Sequence, residues 1–167
     1  MTAALTERVE IIRSNGLDHA LHRFEMEGPA PRRTVLLLHG FLDSARTFEL
    51  LAAPLVQAGF EVVAPDFRGF GRSGRVPPGG YYHFPDYVAD LEGIVRTLAP
   101  ERLFIVAHSM GGSVATLFAG ARPERVEKLV IMEGLGPLAT PPETAPDRMR
   151  RWLADLERIE RTPRPLA

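Results

Sequence analysis

The chain has 167 residues, of which 45% are hydrophobic and 25% charged, with a formal net charge of −1 and no Cys. This globular composition predicts one domain, excludes a disulfide framework or thiolate site, and gives no electrostatic reason to expect nucleic acid or an anionic membrane as partner. No apolar run approaches the roughly 20 residues that a membrane helix needs, and residues 1–10 lack the apolar core of a signal peptide. We therefore expect a soluble, cytoplasmic protein without a membrane partner.

The N-terminal residues predict a β-hairpin. Two strands, residues 7–13 and 18–26, flank the sequence Ser14-Asn15-Gly16, and Asn-Gly is a strong signal for a tight hairpin turn. His19 and His22 lie three residues apart on the second strand, which places them on opposite faces, and a metal site would need further ligands nearby. We expect both histidines to be solvated strand residues.

A buried strand and a helix are predicted next. Residues 34–38 form an apolar run typical of a buried strand, and the turn sequence His39-Gly40-Phe41 follows it directly. Apolar residues at helical spacing predict a helix over residues 46–57, although the interior Pro54 removes one backbone hydrogen bond.

A second apolar run, residues 60–64, predicts a strand that leads into a loop rich in Gly, Arg and Pro over residues 66–78. The Gly-x-Gly in this loop does not open a helix, which argues against a dinucleotide site. Asp66 and Arg68 carry opposite charges, and we expect them to pair and to hold the loop in shape rather than act directly in catalysis.

The following elements surround a sharp turn. Residues 84–98 carry apolar side chains at steps of three and four and predict an amphipathic helix. Residues 103–107 predict a buried strand, and apolar residues from Ser113 onward again recur at helical spacing. Between this strand and this helix lies the turn His108-Ser109-Met110-Gly111-Gly112.

A serine between a strand and a helix is suited to act as a nucleophile. At the carboxyl end of a strand, the Ser109 hydroxyl projects into the crevice where open α/β sheets bind ligands, and the helix N-terminus favours developing negative charge there. Gly111 and Gly112 allow the strand and the helix to pack closely on one side of the turn. On the other side, the small residue two positions before the serine is Ala107. The alternative is an ordinary turn in which Ser109 only caps the helix.

Residues 126–132 predict a further strand, and Glu133 follows at its carboxyl end. The alternation of strands and helices predicts a doubly wound, mostly parallel α/β sheet. A Pro- and Thr-rich connector over residues 138–146 precedes a helix with Trp152 on its apolar side. This helix is either another sheet-covering helix or the start of a cap, and the Pro-rich lead-in favours a cap.

Three segments occur in a characteristic order: HGF at 39–41, DFRGFGRS at 66–73 and AHSMGG at 107–112. Together they resemble the signatures of the α/β-hydrolase superfamily, and the resemblance extends from about Val9 to Glu133. It implies the doubly wound fold of that superfamily, with these segments at the ends of the third, fourth and fifth strands. The resemblance is strong evidence for the fold. For the substrate, it indicates only the class.

The resemblance also implies roles for individual residues. Ser109 is expected to be the nucleophile, and the backbone N–H groups of Phe41 and Met110 are expected to form the oxyanion hole. The supporting turns are expected to involve His39, Gly40, His108 and Gly111. Glu133 is the candidate for the triad acid, because some capped members of the superfamily carry the acid after the sixth strand, although the usual place is after the seventh.

The triad residues of this superfamily occur in the order Ser, acid, His, and no histidine follows Ser109. We therefore expect the N-terminal part of a hydrolase, truncated after the sixth strand, with a core over residues 1–137 and the start of a helical cap over residues 138–167. Such a chain is expected to be inactive alone. Its sixth strand would be an exposed edge, which predicts self-association or a second chain.

Two function classes follow from these residues. The first is a serine hydrolase that cleaves an ester or similar acyl bond of a small molecule through an acyl-enzyme, with no cofactor and no metal. The second is a catalytically inactive hydrolase-fold module used for binding or assembly. Dehalogenases and epoxide hydrolases of the same fold use a carboxylate at the nucleophile position, so Ser109 argues against them.

Overall fold

In the computed structural model of the protein, residues 4–28, 31, 33–134 and 139–161 are described, without the side chains of residues 159–161. The chain divides into two compact units, Met1–Gly136 and Pro137–Ala167. The strands of the first unit are β1 (Thr6–Ser14), β2 (Leu17–Glu25), β3 (Arg33–Leu38), β4 (Phe60–Pro65), β5 (Leu103–His108) and β6 (Val126–Met132). Its helices are α1 (Glu49–Gln57), α2 (Phe84–Leu98) and α3 (Met110–Ala121), and 3₁₀ turns cover Ala45–Phe48 and Pro123–Arg125.

The sheet has the strand order β1-β2-β4-β3-β5-β6. β1, β2 and β4 pair in antiparallel fashion, whereas β4, β3, β5 and β6 run parallel, which confirms the predicted mostly parallel α/β fold. Leu38 is paired with Ala107, and His108 with Met132. The carboxyl ends of β3, β5 and β6 are therefore level with one another, so the loops that follow them meet at one edge of the sheet.

The N-terminal hairpin confirms the Asn-Gly prediction. Asn15 and Gly16 form the two-residue turn with φ angles of 48° and 77°. Two positive φ angles are what the tight hairpin turn compatible with strand twist requires, and Asn and Gly adopt them at the lowest cost. The turn sets the register in which Ser14 pairs with Leu17.

Hydrophobic residues cover both faces of the sheet, as a doubly wound fold requires. β3 supplies both clusters, with Leu36 and Leu38 in one and Val35 and Leu37 in the other. The first cluster is completed from α2 and α3 by Leu91, Ile94, Val114 and Phe118. The second is completed from the α1 region by Phe48 and Ala52. Each fully buried aliphatic side chain contributes about 1.5–3 kcal/mol, so the central strands are the most strongly held.

β6 forms one edge of the sheet within the described residues. Its burial decreases toward the carboxyl end, where Val130, Ile131 and Met132 are exposed. An exposed apolar edge offers unpaired backbone groups to another strand. Self-association through β6 stays a prediction.

The expectation of solvated histidines on β2 is wrong. The exposed fractions of His19 and His22 are 0% and 3%. β2 lies between β1 and β4 rather than at an edge, and His22 contacts Glu7 of β1 and Asp66 beyond β4. His19 faces Asp90 of α2, with 3.6 Å between its Nε2 and a carboxylate oxygen. Both rings are buried because neighbouring elements cover the hairpin.

The expected pair of Asp66 and Arg68 is also wrong, although both residues do hold the loop after β4. The Arg68 guanidinium donates two hydrogen bonds to Asp90, at 2.6 and 2.7 Å, and lies 3.0 Å from Asp86. Asp66 instead binds His22 and two backbone N–H groups. The two charges therefore tie the loop to two different parts of the core, α2 and β2.

The second unit contains the 3₁₀ turn Pro142–Thr144 and α4 (Ala145–Arg161). Met149, Trp152 and Leu153 of α4 are each about half exposed, at 55%, 47% and 50%. No helix within the described ranges combines the length and apolar character needed to cross a bilayer.

Candidate active site

Ser109 occupies a strained turn between β5 and α3. Its φ and ψ angles are 49° and −115°, a region that residues other than glycine rarely adopt and that costs on the order of 1–3 kcal/mol. Its backbone N–H donates to the Met132 carbonyl oxygen at 3.0 Å, which ties the turn to β6. Ser109 thus stands on a sharp turn between the carboxyl end of a strand and the N-terminus of a helix.

The Ser109 side chain does not cap the helix. No hydrogen bond joins its hydroxyl to the N-terminal N–H groups of α3, although Ser109 occupies the N-cap position. The alternative in which this residue is a capping serine therefore fails, since the cap interaction that would explain the residue type is not made. Among the described hydrogen bonds, none involves the Ser109 hydroxyl.

Two glycines allow the backbone to close around the turn. A Cβ atom at Gly111 would lie 2.4 Å from the Leu38 carbonyl oxygen, so only glycine lets α3 approach the end of β3. A Cβ atom at Gly134 would lie 2.5 Å from the Ser109 carbonyl oxygen. Gly134 is a site residue that sequence reasoning missed, and its place directly beyond a strand end was the available signal.

The turn after β3 lies close to Ser109. A Cβ atom at Gly40 would lie 2.9 Å from His108 Nδ1 and 3.4 Å from the Ser109 Cβ atom. The peptide that joins Gly40 to Phe41 is therefore next to Ser109. Met110 is the first residue of α3, so its N–H has no partner within the helix. The structure thus brings the turn that contains Phe41 close to Ser109, which Met110 follows directly.

His39 is fully buried and engaged at both ring nitrogens. Its Nε2 atom accepts a hydrogen bond from the Phe67 N–H at 3.0 Å, and its Nδ1 atom lies 2.7 Å from the Gly40 carbonyl oxygen. Nε2 can accept only when unprotonated, so Nδ1 carries the proton and donates to Gly40. Burial is the main cause that lowers the pKa of His39, which favours this neutral form. His39 is therefore not placed to act as a base.

The other four histidines make contacts with residues other than Ser109 in the described structure. His19 and His22 are buried on β2, and the His83 ring packs against Tyr81, 5.7 Å between centroids. His108 lies next to Ser109 in sequence, and its Nε2 atom is 3.6 Å from a Glu133 carboxylate oxygen. Among the described hydrogen bonds, none joins a histidine to the Ser109 hydroxyl.

Glu133 follows β6 directly and has a φ angle of 55°. Its side chain is 89% exposed, and His108 is its one described ionic contact. The carboxylate is thus on the same sheet edge as Ser109 and is not consumed by a buried network.

The loop after β4 supports the turn after β3. Phe70 of this loop packs edge-on against Phe41 and His39, with centroid distances of 5.6 and 5.7 Å. Asp66 accepts hydrogen bonds from the backbone N–H groups of Ala45 and Arg72, both at 2.8 Å. These aromatic and polar contacts together hold the turn after β3 in place.

A buried ion pair lies behind this loop. His22 Nε2 is 3.0 Å from Asp66 Oδ2. The hydrogen bond to Asp66 raises the pKa of His22, against the effect of burial and with the help of Glu7. Burial raises the pKa of Asp66, but the hydrogen bonds from His22, Ala45 and Arg72 outweigh it and lower that pKa below its usual value. Sequence reasoning missed this pair because its members lie on separate elements.

No group of three His, Asp or Glu side chains is arranged to hold a metal ion in the part of the chain that the structure describes. The site as described therefore consists of a strained serine, backbone N–H groups and an exposed carboxylate.

Comparison with known proteins defines the class. Residues 33–167 match the family described as alpha/beta hydrolase fold, and the chain belongs to that family. It is 41% identical over 133 residues to a serine hydrolase-like protein from Danio rerio, a match that covers 80% of this chain and 40% of the relative.

Two solved structures extend the comparison. The fold is similar to that of a hypothetical protein from Pseudomonas aeruginosa PAO1, with a TM-score of 0.82 and 33% identity over 95% of this chain and 55% of that one. It is also similar to a thioesterase domain from the curacin biosynthetic pathway, with a TM-score of 0.79 and 26% identity over 95% of this chain and 56% of that domain. The chain thus spans 40–56% of the length of these relatives.

Proposed function

We propose that the protein is a serine hydrolase that cleaves an ester or similar acyl bond of a small molecule, with Ser109 as the nucleophile. The observation that carries the proposal is the strained Ser109 turn, whose hydroxyl caps no helix and against which Gly40 and Gly134 pack closely. A protein retains such strain where the surrounding contacts enforce it and the side chain has a use. The names of the serine hydrolase-like relative and the thioesterase neighbour agree with acyl chemistry.

The oxyanion hole is proposed to consist of the backbone N–H groups of Phe41 and Met110. In support, Gly40, the residue before Phe41, packs close to Ser109, Met110 follows that serine, and the N-terminus of α3 adds the positive end of its dipole there. One such donor is worth about 10²–10³-fold in turnover. In a complex with a tetrahedral analogue, we expect its oxygen within roughly 2.7–3.1 Å of both nitrogens, and a much longer distance would contradict the assignment.

Glu133 is proposed as the acid that orients the general base. It follows β6 on the edge that carries Ser109, and no buried partner competes for it in the described structure. The base itself is proposed to be a histidine in the portion of the relatives' length that this chain does not span. Base catalysis contributes about 10²–10⁴-fold, so residues 1–167 alone are expected to lack ordinary esterase turnover.

In the proposed reaction, Ser109 Oγ attacks the substrate carbonyl carbon while the base accepts the hydroxyl proton. The carbonyl oxygen becomes an oxyanion held by the two N–H groups. Collapse of this intermediate breaks the bond to the leaving group, which receives the proton from the base, and an acyl-enzyme remains. Water, deprotonated by the same base, then releases the acid and restores Ser109.

The test is covalent labelling of the full-length protein by a fluorophosphonate probe. We expect the adduct on Ser109 and a loss of several orders of magnitude in p-nitrophenyl ester turnover in the Ser109→Ala variant. Ser113→Ala is the matched control, because Ser113 lies one turn further along α3. Labelling that survives Ser109→Ala would contradict the assignment, and a folded full-length protein that is neither labelled nor active would indicate the binding module instead.

A further inference from the structure

We propose that His39 is a positioning residue that orients the Gly40–Phe41 peptide, so that the Phe41 N–H faces the oxyanion. This inference rests on the proposed function, because it assigns a second role within the same site. His39 itself does not touch the substrate in this proposal. It acts on the oxyanion through the backbone.

The reason lies in the geometry of one peptide unit. The carbonyl oxygen of Gly40 and the N–H of Phe41 belong to the same planar group and point in nearly opposite directions. His39 Nδ1 donates to that carbonyl oxygen at 2.7 Å. A ring that holds the carbonyl oxygen on one side therefore holds the Phe41 N–H on the other.

The ring is itself fixed from the loop after β4. The Phe67 N–H donates to Nε2 at 3.0 Å, which sets the tautomer with the proton on Nδ1. The imidazole packs against the Phe67 ring at 4.9 Å between centroids, and it is fully buried. With both nitrogens bonded and the ring enclosed, the imidazole has one orientation in which to donate to Gly40.

The other end of the turn is held from the same loop. Asp66, the residue before Phe67, accepts the Ala45 N–H at 2.8 Å. Residues 40–44 are thus held at both ends by two adjacent residues of the loop after β4. A Cβ atom at Gly40 would lie 3.4 Å from the Ser109 Cβ atom, so this peptide is close to Ser109 and its rotation would turn the Phe41 N–H away from the oxyanion. The loop after β4 therefore contributes to the oxyanion hole without contacting it.

The experiment separates the two ring nitrogens by substitution in the full-length protein. In His39→Asn, the side-chain amide takes the place of Nδ1 and can still donate to the Gly40 carbonyl oxygen. In His39→Gln, the amide takes the place of Nε2, so it can accept from the Phe67 N–H and leaves Gly40 without a donor. We expect His39→Asn to keep kcat within about 10-fold of wild type, and His39→Gln to lose about 10²-fold in kcat with little change in KM.

A merely structural role predicts a different result, in which both variants lose kcat in proportion to their loss of thermal stability. Equal losses of kcat in the two variants would overturn the proposal, as would a lower kcat in His39→Asn. Thermal unfolding is measured for each, so that a folding defect is recognised.

A second measurement uses the unmodified protein and does not depend on the folding of a variant. The ¹⁵N chemical shifts of the His39 ring should show a protonated Nδ1 and an unprotonated Nε2 across the pH range of activity. A proton on Nε2, or an imidazolium, would overturn the proposal. Ser109→Ala is assayed in parallel. Turnover that survives this substitution, or that is absent from the folded parent protein, refutes the proposed function, whereas the His39 tautomer is read independently of turnover.

Discussion

An acidic residue directly follows β4 and another directly follows β6, and the two differ in their exposure to solvent. Asp66 is 1% exposed and accepts hydrogen bonds from His22 and from two backbone N–H groups. Glu133 is 89% exposed, with His108 at 3.6 Å. The buried acid uses its hydrogen bonds to fix the shape of a loop. The exposed acid instead leaves most of its side chain in contact with solvent.

The same contrast extends to the backbone around each acid. The loop after β4 is held by side chains from β2, α2 and the turn after β3. At the end of β6, by contrast, Glu133 itself has a positive φ angle, and Gly134 packs against Ser109. Polar side-chain contacts are thus concentrated in the loop after β4, whereas close backbone packing holds the Ser109 turn.

The largest expected effect concerns turnover at the exposed acid. In the full-length protein, Glu133→Gln is expected to lower kcat by about 10⁴-fold, as removal of the orienting carboxylate does in a serine triad. The free energy of unfolding should change by less than about 0.5 kcal/mol, since the side chain is on the surface. Steady-state kinetics and urea unfolding measure the two quantities. Normal turnover in this variant would mean that the acid lies elsewhere.

The second effect is on stability at the buried acid. Asp66→Ala is expected to lower the free energy of unfolding by about 3–5 kcal/mol, because it leaves the buried His22 without its partner. Glu133→Ala serves as the matched control and should differ from wild type by less than about 0.5 kcal/mol. Urea midpoints measured at pH 6 compare the two. A similar loss in both variants would break the contrast between the strand ends.

A third effect tests the close packing behind Ser109. Gly111→Ala is expected to destabilise the protein by about 1–3 kcal/mol and to lower turnover, since the new Cβ would collide with backbone at the end of β3. Gly120 lies in the same helix, and a Cβ atom added there would have no neighbour within 4 Å. Gly120→Ala should therefore stabilise by about 0.4–1 kcal/mol. Thermal unfolding that ranks the two variants in the opposite order would contradict this packing.

The smallest effect is the pH dependence of the His22–Asp66 pair. The pKa of His22 is raised above 6.5, so its contribution to stability is complete below pH 6.5 and is lost as the pH rises through the raised value. The pKa of Asp66 is lowered from 3.8, so its contribution is complete above that pH and is lost as the pH falls through the lowered value. The stability difference between wild type and His22→Gln should therefore be largest between about pH 3.8 and 6.5 and smaller at pH 9. A difference that grows with pH above 6.5 would contradict the ion pair.

The sequence by itself determined several strands and helices and the tight turn at Ser109. Apolar periodicity predicted α2 and β6 with the observed bounds, and the Asn15-Gly16 turn predicted the hairpin. The glycines after Ser109 predicted a tight strand-to-helix turn, which the positive φ angle at Ser109 bears out. These features are local, because periodicity and turn chemistry depend on residues within a few positions of one another.

Only the tertiary structure decided which polar groups meet. His22 and Asp66 are 44 residues apart in the chain, and Arg68 and Asp90 are 22 apart. Arg68 lies two residues from Asp66 in the sequence, yet the two do not pair. Asp66 binds His22 of β2, and Arg68 binds Asp90 of α2. Likewise, the approach of Gly134 to Ser109 depends on the parallel pairing of β5 with β6. A pattern along the sequence does not encode which elements become neighbours. A buried ion pair or a close backbone contact forms only where two particular elements meet, so the tertiary structure decides both.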